Sequence, residues 1–462
     1  MRLRIAVIAL LPLLWAGHAL AQYQSTEYDI ERWNDDYSYL RYPGSHTDFF
    51  DPIKYVPLNA SGDTYLSFGG QARYRYDYFN NSEFGAGPQD ETGFDLFRFL
   101  AHADAHFGRS FRVFLQFDSS LVYDRVGGPR PGDVDDFDVQ LGFADVNFPF
   151  SETNNLLVRF GRQELIYGAQ RFISPNDWGN VRRSFEGLRL SLTMPNDTLD
   201  AFLVRPVIIE KSHFNSGDDH TAFAGIYNVT AFPDLLPKAS PKLDAYLLLL
   251  DQSPSKTTGY PVDSDTFTLG VRPHANVGDW DFDLEANWQF GHYASSSICA
   301  YSVAAEAGYT FSKVKFTPRL SLGLDLASGS ANPAHRFNQL FPPLYLYLGH
   351  LYLFGRSNLI DFHQGLSVNF TPDVTLWLTQ HIFWRQNSND AVYSLTGSVV
   401  RASDGSHAHF VGNEFDISAA WQVDRHLAAY MGWAHFFTGQ FINDTGAHSD
   451  PDFFYVMLTY TF

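Results

Sequence analysis

Between Trp280 and Gly291 the chain alternates without a break: Trp280, Phe282, Leu284, Ala286, Trp288 and Phe290 interleave with Asp281, Asp283, Glu285, Asn287, Gln289 and Gly291. A period of two sends successive side chains to opposite faces of a sheet, so this strand has one apolar, aromatic face and one charged face. The division recurs where Phe415, Ile417, Ala419, Trp421 and Val423 oppose Glu414, Asp416, Ser418, Ala420 and Gln422. It recurs again in 313–326, where Val314, Phe316, Leu320, Leu322, Leu324 and Leu326 oppose Lys313, Lys315, Thr317, Arg319, Ser321 and Asp325. Pro318 lacks an amide donor and is expected to interrupt the ladder there.

A water-soluble sandwich also alternates; strand length and connections separate the two cases. Candidate strands cover 64–79, 93–107, 110–123, 136–149, 154–168, 183–194, 197–210, 220–232 and 242–252. They continue through 264–274, 279–292, 300–311, 313–327, 358–370, 374–385, 409–423, 426–437 and 452–462. About eighteen strands of this length suit tilted crossings of a bilayer, and an even number suits a single-chain bacterial barrel. Connections are expected to alternate strictly, with tight turns such as Gly108-Arg109, Pro195-Asn196 and Asp424-Arg425 between long loops such as 125–135, 328–357 and 386–408. The fold class read here is all-β: a closed antiparallel up-and-down transmembrane barrel with short periplasmic turns and long extracellular loops. Backbone groups in hydrocarbon must all be paired, which rules out an open sheet.

The two ends of the chain agree with this reading. Arg2 and Arg4 precede an apolar run from Ile5 to Trp15 and a small-residue site at Ala19-Leu20-Ala21, the pattern of a cleavable secretory signal over 1–21. No later stretch is long and apolar enough for a transmembrane helix. Residues 22–62 are polar and aromatic with little periodicity, and are expected to run along the periplasmic side or tuck into the lumen; 63–462 is the barrel. The final strand presents Phe454, Val456, Leu458, Tyr460 and the terminal Phe462 on one face, an ending that resembles the signal read by the outer-membrane assembly machinery. Aromatics make up 16% of the residues and DEKR only 18%, below the usual quarter, as fits a chain whose outer surface meets lipid. The formal charge of -19 disfavours nucleic acid, and a single cysteine, Cys299, precludes an internal disulfide.

From Trp33 onward the sequence resembles the alginate-export family of outer-membrane porins. The resemblance lies in Trp33 to Arg41 (WNDDYSYLR), Asp51 to Leu58 (DPIKYVPL), Leu66 to Tyr76 (LSFGGQARYRY) and Val158 to Leu190 (VRFGRQELIYGAQRFISPNDWGNVRRSFEGLRL). It extends to Leu326 to Ser330 (LASGS), Phe337 to Pro342 (FNQLFP) and Gly432 to Phe441 (GWAHFFTGQF). The resemblance implies a monomeric eighteen-stranded barrel with an arginine-rich constriction for a polyanionic polysaccharide. Where the family usually has Ser-Gly-Asp, this chain has Ser328-Gly329-Ser330, one acidic group fewer.

Strand parity turns Arg73 and Arg75 inward, on the face of Ser67, Gln71 and Asp77, and does the same for Arg98, Arg112, Arg159 and Arg189; it reaches Arg205 and Arg272 less directly. Lys313, Lys315 and Arg319 are expected to face them across the lumen. Arginine offers a fixed fork of donors to carboxylate or hydroxyl oxygens and stays charged at any working pH. Acidic residues on the inward faces, Asp118, Asp281, Asp283, Glu285, Glu306, Asp325, Glu414 and Asp416, could pair with these cations and simply hold the barrel's shape, the bland alternative to an anion-attracting wall. Arg162, Arg171, Arg182 and Arg183 lie in or beside the loop after the fifth strand, as a possible constriction loop. Trp178, Trp288, Trp384, Trp421 and Trp433 read as girdle or wall aromatics, although pore-side ones could stack on sugar rings. His407 and His409 read as a solvated loop rather than a metal site, Ser406 beside His407 lacks the third group of a hydrolase, and neither catalytic residues nor a cofactor is expected.

The expected function is passive passage of an anionic poly- or oligosaccharide, or a related acidic solute, along an arginine-lined lumen. A selective porin for small organic acids or sugars shares every feature; an outer-membrane enzyme or a blocked structural barrel fits less well.

Overall fold

The computed structural model describes residues 28–42, 44–236, 239–257 and 259–462; the signal segment 1–21 lies outside them. Among the described residues, eighteen antiparallel strands form the wall. They are β1 (Thr64–Asn80), β2 (Phe94–Phe107), β3 (Phe111–Tyr123), β4 (Asp135–Pro149), β5 (Asn155–Gln163) and β6 (Phe185–Thr193). β7 (Asp197–Ile208), β8 (Thr221–Ala231), β9 (Lys242–Gln252), β10 (Ser264–Val277), β11 (Trp280–Tyr293) and β12 (Ser296–Thr310) follow. The last six are β13 (Arg319–Ala327), β14 (Leu359–Thr371), β15 (Val374–Trp384), β16 (Phe410–Gln422), β17 (Leu427–Thr438) and β18 (Asp452–Thr461).

Each strand pairs with its neighbours in the chain, and β18 pairs back on β1 from Gln71↔Thr461 to Asn80↔Asp452. The terminal residue finishes the seam: Phe462 N donates to Gly70 O at 3.0 Å and Gly70 N donates to Phe462 O at 2.9 Å. A sheet closed in this way has no edge, as a lipid-embedded sheet requires. No helix of the described residues is long and apolar enough to cross a membrane; the crossing elements are strands.

Parity is obeyed along the wall. On β11, Trp280 and Trp288 are about half exposed on the outside, at 48% and 52%, while Glu285, Asn287 and Gln289 are buried inside. Phe97, Phe99, Leu320, Leu322, Trp421 and Met431 also point outward, whereas Arg73, Arg75, Arg98 and Asp118 are buried on the lumenal face.

Four features differ from the expectation. The strand expected over 313–327 begins at Arg319, because Pro318 cannot donate to the ladder; Lys313 and Lys315 are therefore exposed in the preceding turn rather than on the lumen wall. The strand expected over 154–168 stops at Gln163, and the chain then turns inward. Gly161 (φ +132°) faces Gly187 (φ +153°) across β5 and β6, and a Cβ on Gly161 would come within 2.3 Å of the Gly142 carbonyl oxygen, so the wall is drawn together where the chain leaves it. Connections do not alternate strictly in length, since β11 and β12 are joined on the long-loop side by Ala294 and Ser295 alone. Trp178, read as a wall aromatic, is 2% exposed and sits inside the lumen.

Candidate lumenal constriction

Two loops and the N-terminal segment fill much of the barrel. Residues 164–184, between β5 and β6, are suspended from β1 and β2 by arginines. Arg73 donates to the carbonyls of Asp177 (2.6 Å) and Gly179 (2.7 Å), Arg75 to the carbonyl of Trp178 (2.6 Å), and Arg98 to the carbonyl of Asp177 (3.0 Å) and its carboxylate (2.8 Å). Parity had turned these three guanidinium groups inward. What the tertiary structure adds is their target, a run of three loop carbonyls that would otherwise lose their hydrogen bonds on leaving water. The Arg75 guanidinium lies over the Trp178 ring at 4.2 Å, and Tyr345 stacks on the same indole at 3.8 Å.

Tyr345 belongs to the second loop, 328–358, which also enters the lumen. Its Tyr345, Leu348, Leu351 and Phe354 join Phe383, Phe436, Phe453 and Tyr455 of the wall in one buried apolar cluster. The loops touch directly: Ile173 bridges to Phe341, Leu344 N donates to Asn176 Oδ1 at 2.9 Å, and the Tyr347 hydroxyl donates to the Ala169 carbonyl. The N-terminal segment approaches from the end of the barrel that carries the chain's C-terminus. There Arg32 donates to the Phe462 carbonyl at 3.2 Å, Trp33 packs on Phe114 and Phe143, and Arg112 donates to the Trp33 carbonyl. Residues 30 and 182 meet where Arg182 donates to the Ile30 carbonyl at 3.3 Å.

The four arginines expected near the constriction have distinct places. Arg182 pairs with Glu164 (2.5 Å) and Asp177 (3.0 Å), and Arg183 donates to the carbonyls of Ser174, Phe341 and Pro342, tying one loop to the other. Arg171 crosses the lumen to Asp283 (2.8 Å) and Glu285 (3.0 Å) of β11. Arg162 lies at the rim instead, bound to Asp138, Glu186 and the Asn215 carbonyl of the loop after β7.

Most of the remaining inward cations are matched by carboxylates. Arg112 meets Asp104, Arg159 meets Asp145 at 2.7 Å, Arg189 meets Asp200 at 2.6 Å, and Arg319 meets Asp281 and Glu306 at 2.6 and 2.9 Å. Arg272 joins Asp244 and Asp283, while Arg205 is half exposed beside Glu186 and Asp219. Asp118 is buried and accepts from Ser120, and Glu414 accepts from Leu351 N. Asp416 is buried two residues further along the same inward face. Asp104, Asp145 and Asp200 did not figure among the candidates although their strand parity exposes them; Asp177, Glu164 and Tyr345 lie in loops, where periodicity carries no signal.

The loop electrostatics are uneven. Burial alone would raise the Asp177 carboxyl, but the guanidinium groups of Arg98, Arg182 and Arg73 more than offset it and hold the group well below the usual carboxylate range. Burial raises Glu164 despite Arg182 beside it. Arg183, held by carbonyls, is pushed down by burial to about 10. Lys54, whose ammonium lies 5.0 Å from the Tyr37 ring centre and 5.9 Å from that of Phe462, is pushed down by burial to about 7.

A protein-family model described as alginate export matches residues 64–456, from the first strand of the wall into the last. The chain belongs to the alginate export family. No curated protein matches it in sequence. Solved structures with a similar fold include Pseudomonas aeruginosa OccK3 (OpdO), at 12% identity over 86% of this chain and 95% of that one, with a TM-score of 0.56. Pseudomonas aeruginosa OccD3 (OpdP) is 10% identical over 89% and 93%, with a TM-score of 0.56. Pseudomonas aeruginosa OpdK, in a crystal structure with vanillate, is 10% identical over 86% and 98%, with a TM-score of 0.54. These outer-membrane porins share the barrel fold. This alginate export family member is accordingly an outer-membrane channel protein whose outward face meets lipid.

Proposed function

We propose that this barrel passes an anionic oligo- or polysaccharide, or a related acidic solute, passively along a lumen whose selectivity resides where β1 and β2 face the loop 164–184. The observation that supports this is the environment of Asp177. Arg98 and Arg182 converge on one carboxylate in the interior, Arg73 lies beside them on the backbone carbonyl of the same residue, and together they keep it ionised, so the same place favours the carboxylate of a passing uronate. In this reading Asp177 is the loop's own anion, seated in the cargo's position and displaced as cargo enters. The arginines held by carboxylates of the wall strands are scaffolding, and the trio around Asp177 is the filter. Weak, successive sites of this kind give passage rather than capture.

A second reading, a porin for small organic acids, draws support from the way the two loops and residues 28–42 divide the lumen into narrow clefts. A small acid would fit such clefts without displacing a loop.

Single-channel recording in a planar bilayer tests both. Anion preference from the reversal potential in a salt gradient, with block by polyuronate that weakens at least tenfold in Arg73→Ala/Arg98→Ala, is the expected result. Block by small carboxylates but not by polyuronate would favour the second reading. Cation preference insensitive to those substitutions would overturn both.

A further inference from the structure

Away from the arginine trio, β14, β15 and β16 bring a different set of side chains to one inward patch. Asp361 and His363 sit two residues apart on β14. His381 of β15 is paired directly across from His363, and Glu414 of β16 directly across from His381; Asp416 follows on the same face. Both imidazoles turn Nδ1 to one oxygen: His363 Nδ1 is 3.0 Å and His381 Nδ1 2.9 Å from Asp361 Oδ2. One atom from each of the three residues lies within 4.8 Å of the other two, the only such group of potential metal ligands among the described residues.

We propose that Asp361, His363 and His381 bind a divalent transition-metal ion of the zinc class inside the lumen, with a coordination position left open to the adjacent cleft. Two imidazoles and a carboxylate suit such an ion, and three protein ligands leave room for a water or an anionic group of the cargo. The spacings of 3.0 and 2.9 Å from Asp361 Oδ2 to the two imidazole nitrogens are close to the edge of a tetrahedron drawn at roughly 2 Å from a metal. The cleft beside them is lined by Tyr345, Tyr347, His350 and Arg319, so the ion has a route in from the lumen.

Three further observations point to a cation here. Asp361 is wholly buried, yet its Oδ1 has no hydrogen-bond partner, and the ionic partners of Asp361 are the two imidazoles. Glu414 and Asp416, buried to 0% and 1% exposure on the same face, add two carboxylates that no arginine or lysine of the described residues is seen to neutralise. Carboxylates gathered inside a barrel without guanidinium partners are costly unless a proton or a cation joins them, and the open Oδ1 of Asp361 leaves room for a cation. The imidazoles are also held in place. His381 Nε2 stands 3.9 Å from Asp416 Oδ2, so moving its proton from Nδ1 to Nε2 frees Nδ1 for the metal and directs the N–H toward a carboxylate. The His363 ring lies against Gly323 of β13, where an added Cβ would fall 1.9 Å from Nε2. Gly349 brings the second loop close to Glu414 in the same manner, so the ion would sit beneath that loop, beside the wall.

The test uses the purified full chain in detergent, stripped with chelator and titrated with Zn2+ alone by calorimetry, with Co2+ as a spectroscopic stand-in. One equivalent of Zn2+ and visible Co2+ absorption bands typical of low coordination number are expected. His363→Gln or His381→Gln should weaken Zn2+ binding at least tenfold, and the double variant should lose it. His407→Gln/His409→Gln should leave it unchanged. Retention of heat-modifiable electrophoretic mobility identifies which variants still form the barrel. Should His381→Gln fail to fold, Asp361→Asn and His363→Gln give the same reading, together with the Co2+ spectrum of the unsubstituted chain. Absence of binding to the folded, unsubstituted protein, or equal binding by the double variant, would overturn the proposal. Because no conductance is involved, either outcome is independent of the anion-channel reading.

Discussion

At the scale of single residues the lumen works by satisfying donors. Arg73, Arg75 and Arg98 donate to carbonyls of the 164–184 loop, and Asp177 supplies the carboxylate that two of the arginines of this region share. Breaking a buried ion pair by removing one partner typically costs about 3–5 kcal/mol. Asp177→Asn, which leaves Arg98 and Arg182 short of a partner, is therefore expected to loosen the loop and increase the frequency of channel opening several-fold at pH 7. The pH dependence has a definite sign. A carboxyl held below its ordinary 3.8 contributes stability that is complete above that value and is lost only as pH falls toward the lowered one. The contact of Asp177 with the arginines should thus hold alike at pH 7 and pH 4.5 and be lost only in stronger acid. Recordings in which Asp177→Asn gated like the unsubstituted protein would count against Asp177 as the anchor. The arginines of this site were legible in the sequence because they lie on strands, where parity assigns a face. Asp177 was not, because a loop has no period.

At the scale of elements, what occupies the lumen is decided by loops that leave the wall and return. The second loop contributes Tyr345, Leu348, Leu351 and Phe354 to a buried cluster, and each large apolar side chain removed from water contributes roughly 1.5–3 kcal/mol. Replacing residues 343–353 with a short Gly-Ser bridge should lower the thermal midpoint and raise single-channel conductance at least twofold. The wall should survive, since its ladder does not pass through that loop, and heat-modifiable mobility reports this. Unchanged conductance would mean that the loop does not restrict the lumen. Strands were located to within a few residues from alternation, and the exceptions share a cause: Pro318 and the Gly161/Gly187 pair alter the backbone locally, which a side-chain pattern registers poorly.

At the scale of the whole molecule, closure separates two solvents. Trp280, Trp288 and Trp421 stand half exposed on the outside, whereas Trp178 is enclosed by Arg75, Tyr345 and Tyr455. Single-tryptophan variants reconstituted with bromine-labelled lipid should show strong quenching for Trp288 and Trp421 and almost none for Trp178. Equal quenching of all three would be incompatible with a lumenal Trp178. Part of the acidic complement serves this interior, where Asp145, Asp200, Asp281, Asp283 and Glu306 face inward and hold arginines in place.

The sequence by itself determined the wall: the strand number and the face of the wall side chains. These depend on local periodicity and short connections, which are written along the chain. Only the tertiary structure decided the barrel seam and what fills the barrel, because 164–184, 328–358 and the N-terminal segment find their partners on strands and loops far from them in the sequence. Arg73 with Asp177 and Trp178 with Tyr345 become neighbours only when a closed sheet brings distant strands and inward loops into one enclosed volume.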